Sequence, residues 1–132
     1  MVEYTINAVN TLLVNLRDDT YSFIGSAVNE VIEEKILIPD TKGYLKIIRE
    51  RAEDIAFLGK DITQLTEDEV KKRLHAVLDD IIRVQAPVHS LMHIREYYEK
   101  TRGLTPNGIL DLLREYSNAL DDYAEGINDL IN

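Results

Sequence analysis

Two runs of apolar residues recur at alternating spacings of four and three. Val70, Leu74, Val77, Ile81, Val84, Val88 and Leu91 form the first. Ile109, Leu113, Tyr116, Leu120, Tyr123, Ile127 and Leu130 form the second. That rhythm places each set on one face of an α-helix. The first run follows Thr66 and Glu69, which have the spacing of a capping box, and it crosses Pro87 without losing phase. Proline removes a backbone N–H and crowds the preceding turn, so a true break would reset the phase. The unbroken rhythm predicts one helix over about 66–101, kinked at Pro87 and closed by Gly103. The second run predicts a helix over 106–131, with Thr105 as its cap and Pro106 at its first position. The short connection, 102–105, makes the two helices antiparallel neighbours.

The residues beside the second seam say what kind of assembly it belongs to. Leu110, Ala124 and Ile131 lie on one side, and Leu112, Ala119 and Gly126 on the other. A stripe this wide suits a bundle in which each helix touches more than one neighbour. A shorter helix is predicted over 40–58, capped by Asp40 or Thr41, with Leu45, Ile48, Ala52 and Ile55 inward and Gly59 at its end. Nearer the N-terminus, Val2, Ile6, Val9, Leu13 and Leu16 form one seam, and Ile24, Val28, Val31 and Ile32 another. Between them stands Arg17-Asp18-Asp19-Thr20, a run of weak helix formers with no Gly or Pro. Two helices meeting near residue 19 are expected, with one long bent helix as the alternative. Ile36-Leu37-Ile38 is the only run that reads as extended. The expectation is an all-α antiparallel bundle of four or five helices, a single domain over 1–132.

Charge narrows the classes of partner. The 132 residues carry a net charge of −9, which repels phosphate backbones, so no nucleic acid is expected. The one basic segment, 41–60, can dock on acidic surfaces within or between chains. Cysteine is absent, which excludes disulfides and thiolate sites and suits a reducing compartment. No stretch is long and apolar enough to span a membrane, and MVEYTINAVN does not read as a signal peptide. A cytoplasmic location is expected. The long seams leave surplus apolar surface for so small a chain, predicting a homo-oligomer, most simply a dimer, or a protein partner.

The chemically suggestive residues cluster in 83–100. His89 and His93 stand four apart with Glu96 three further on, the spacing of metal ligands on one helix face. At 100° per residue this group points away from the apolar face, with Lys100 among it, so a solvated stripe is the plainer reading. Arg83-Val84-Gln85-Ala86-Pro87-Val88-His89 resembles the R-x(4–6)-H motif of the HEPN-family ribonucleases, small helical dimers. The resemblance covers seven residues. It implies Arg83 and His89 acting on RNA at a dimer interface, although Val84 stands where a polar residue usually follows the arginine. The carboxylate doublets, such as Asp79-Asp80 and Asp121-Asp122, diverge by about 100° on a helix and read as solvated faces. Tyr116 and Tyr123 lie on a seam and Tyr97 lies off one, which marks all three for an interface or the core edge. No cofactor motif is present. The expected function is a non-enzymatic interaction or assembly module. The alternative is a HEPN-like ribonuclease or metal-binding bundle using Arg83, His89 and His93.

Overall fold

A computed structural model describes residues 3–33, 41–58, 62, 64–102 and 108–131, and among these the chain is an all-α helical bundle. Its helices are α1 (Glu3–Glu33), α2 (Thr41–Leu58), α3 (Glu67–Arg102) and α4 (Gly108–Ile131). They close a ring. α1 packs on α2 and α4, α3 packs on the same two, and the diagonal pairs stand further apart among the described residues. The core therefore lies along the central axis, filled by one seam from each helix.

The two long seams behave as their rhythm demands. All seven members of the α3 seam are buried, as are Ile109, Leu113, Tyr116, Leu120 and Ile127 of α4. The capping box forms at the start of α3. The Thr66 N–H donates to Glu69 Oε1 at 3.2 Å, and the Glu69 N–H donates to Thr66 Oγ1 at 3.3 Å. Those bonds hold the Glu69 carboxyl below its ordinary range. Pro87 is buried inside a continuous helix, so the unbroken phase reports one element. Gly59, Gly103, Thr105, Pro106 and the run 36–38 lie outside the described residues.

Proline leaves the carbonyl four residues back, that of Arg83, without its helical donor. α2 supplies one: Arg51 Nη1 donates to Arg83 O at 2.7 Å. Two more arginines fasten the same interface. Arg73 Nη1 donates to Leu58 O at 3.0 Å, filling one of the carbonyls that every helix C-terminus leaves open. Near the other end of α2, Arg95 Nη1 donates to Thr41 Oγ1 at 2.9 Å.

The N-terminal segment corrects the expectation of two helices. α1 runs unbroken from Glu3 to Glu33. Among its described side chains the buried ones are Val9, Leu13, Leu16, Thr20, Phe23 and Ala27, a single seam with the four-three rhythm. Val28, assigned inward from the sequence, is exposed. Thr20 sits on the seam and hid its continuity. Its hydroxyl is satisfied by the Tyr116 hydroxyl at 2.9 Å, and the Tyr123 hydroxyl donates to Asp19. Phe23 stacks on Tyr116 with centroids 4.2 Å apart. Bonds to α4 thus hold weak helix formers in a helical conformation.

Candidate functional site

The nominated residues of 83–100 all lie on α3, and the structure separates them. Residues six apart on one helix point about 120° away from each other, so Arg83 and His89 diverge. The Arg83 side chain is exposed, 3.9 Å from Asp80. Glu96 is taken by Arg114 of α4 at 3.3 Å. His93 faces outward. Among the described residues no three His, Asp or Glu side chains gather as a metal site.

His89 does not point away from the bundle as the helical wheel suggested. Its ring lies along the α3–α4 boundary, with Nε2 3.0 Å from Ser117 Oγ. A histidine bonded to a serine, with a carboxylate nearby, has the composition of a nucleophilic triad. The protons run the wrong way for one. Gln85 Nε2 donates to Ser117 O at 2.9 Å and to Asp121 Oδ1 at 3.1 Å, so Gln85 Oε1 is an acceptor. Ser117 Oγ donates its only proton to that oxygen at 3.0 Å. The imidazole can then only donate to Ser117 Oγ, through Nε2–H. A base must accept the nucleophile's proton, and this one gives a proton to it. Ser117 is also just 4% exposed, sealed between helices. The layer of Gln85, His89, Ser117 and Asp121 is a structural joint with its hydrogen bonds in use.

Tyr116 is buried and its phenol is pushed up to about 12 by that burial. Burial and its bond to Asp19 raise Tyr123 well above the ordinary phenol range. Tyr97 remains outward, 62% exposed. Burial raises the Asp80 carboxyl, with Asp54 of α2 adding repulsion.

Two features escaped the sequence. Arg95 is fully buried. It takes the next place in the α3 seam, four after Leu91, and continuing the four-three count past its last apolar member would have found it. The other is a groove of about 240 Å³ between α1 and α2, with Phe23, Ile24, Ala27 and Leu45 in its wall and Lys42, Lys46 and Arg49 beside it. Its cations belong to the basic segment, but its shape depends on how two helices meet, which periodicity does not encode.

Compared with known proteins, the chain matches no family model, no curated protein and no solved structure.

Proposed function

We propose that the protein is a non-enzymatic interaction module, a cytoplasmic antiparallel four-helix bundle that assembles with further copies of itself through outer helix faces. The observation that carries this reading is the exposure of Tyr21, Val28, Ile47, Phe57, Ile82 and Tyr97, while Gln85, Ser117 and Asp121 are engaged in hydrogen bonds between α3 and α4. Exposed apolar side chains that share one face mark a contact surface, and Ile82 and Tyr97 share the outer face of α3. The antiparallel arrangement is supported by contacts that run in opposite senses: Thr41 with Arg95, Arg51 with Arg83 and Leu58 with Arg73. Light scattering on a gel-filtration peak tests self-association. The reading expects a mass of at least twice 15.1 kDa, and a monomer throughout the concentration range sinks it.

The α1–α2 groove favours a second reading, ligand binding. An apolar wall beside three cations fits an anionic amphiphile such as a long-chain carboxylate. Displacement of a fluorescent fatty acid, compared in the chain and in Lys42→Glu/Lys46→Glu, tests it. Equal binding by both removes the groove from consideration.

A further inference from the structure

The outward face of α3 has an order that the bundle does not use. Asp79, Ile82, Ala86, His93, Tyr97 and Lys100 are all exposed. At 100° per residue they fall within an arc of about 60°. Their spacings of three or four, with His89 on the flank between Ala86 and His93, make a second seam roughly opposite the buried one. It is about 32 Å long at 1.5 Å per residue. Ile82 and Tyr97, 69% and 62% exposed, are its large apolar members.

The order of this face is self-complementary. Take the point midway between His89 and Ser90. Asp79 and Lys100 are equidistant from it, as are Ile82 and Tyr97, and Ala86 and His93. A second α3 laid antiparallel about that point would bring Asp79 to Lys100 of the other copy at both ends of the seam. Ile82 would meet Tyr97, and His93 would cover Ala86. The small side chains of Ala86 and Ser90 lie near the centre, where the helices must approach most closely. A two-fold interface needs a patch that complements itself, and an antiparallel shift by one turn would oppose Asp79 to Glu96, like to like.

We infer that the outer seam of α3 is the self-association surface, and that its occupant is the same seam of a second copy in this register. The inference rests on the reading of the protein as a self-assembling module and names the face involved. It also gives the histidine stripe a role: His93 is covered by the partner, and the two His89 rings flank the dyad.

The test uses the full chain in sedimentation equilibrium. Ile82→Glu places two charges in the seam per dimer, and the expected rise in Kd is at least about 100-fold. Asp79→Lys alone weakens the dimer by about tenfold, and Asp79→Lys/Lys100→Asp recovers most of that loss. The chain has no cysteine, so Ser90→Cys, which lies almost on the dyad, cross-links efficiently on oxidation whereas His75→Cys does not. All these positions are on the surface, and circular dichroism confirms that each variant keeps its helices. A dimer indifferent to Ile82→Glu and to the charge exchange overturns the α3 seam while leaving self-association standing. A wild-type monomer overturns self-association itself.

Discussion

α2 meets its two neighbours in different ways. Against α3 it is fastened at both ends and in the middle by Arg95, Arg51 and Arg73, each bonded to a named oxygen across the interface. Against α1 it sets apolar side chains, Leu45 sharing a wall with Phe23, Ile24 and Ala27, and a groove opens between the two helices. Directional bonds set one height and one rotation for a helix pair. Apolar contact alone is less particular and tolerates a gap. The α2–α3 seam thus fixes the register of its helices, and the α1–α2 seam is where the molecule has room to change.

The largest expected difference between the two seams is at Arg95. Arg95→Ala opens a cavity and strips Thr41 of its donor, and should cost about 3 kcal/mol. Leu45→Ala, in the half-buried wall of the groove, should cost about 1 kcal/mol or less. Urea unfolding of both variants checks this, and equal losses would erase the distinction.

The α1–α4 contact adds a pH-dependent case. The phenol of Tyr116 ionises near 10 in the unfolded chain and at about 12 in the fold. Between those values the unfolded state has released a proton that the native state keeps. Stability therefore falls as pH rises through that window, by about 1.4 kcal/mol per pH unit from this residue. Tyr116→Phe should be weaker at neutral pH, having lost the bond to Thr20, but should decline less steeply above pH 10. Parallel declines would place the alkaline sensitivity elsewhere.

Arg51 offers a smaller and cleaner measurement. Arg51→Ala should cost about 1 kcal/mol with Pro87 present. In Pro87→Ala the residue at 87 regains an N–H for the Arg83 carbonyl, and Arg51→Ala should then cost little. The double-mutant cycle reads that coupling directly. No coupling would mean that the arginine and the proline are independent. The smallest effect belongs to the looser seam. Nothing lies within 4 Å of a Cβ added at Gly25, so Gly25→Ala should stabilise α1 by about 0.5–1 kcal/mol. A loss instead would show that the outer face of α1 is less open than it looks.

These residues also show what could be read before the fold was seen. The seams of α3 and α4 were legible because their members are nearly all apolar, and periodicity counts apolar residues. α1 was misread because Thr20 holds a seam position with a hydroxyl, and its licence to do so is Tyr116, distant in sequence. Arg95 was missed for the same reason. The joint of Gln85, His89, Ser117 and Asp121 needs knowledge of which faces of α3 and α4 meet. A helical wheel gives the azimuth of His89 but not the reach of its ring around the helix to α4. The α2 helix and the capping box of α3, by contrast, depend on residues close in sequence, and they were found where local rules put them.

Pro87 has one more consequence. The hydrogen bond it deletes would have been closed within α3 and would have been blind to every other helix. The bond that replaces it is closed by a guanidinium standing at one height on α2. A slip of α2 by a single turn would carry that donor away and leave the carbonyl to solvent. The proline thus turns an anonymous bond into an address, and fixes how far along α3 its neighbour must sit.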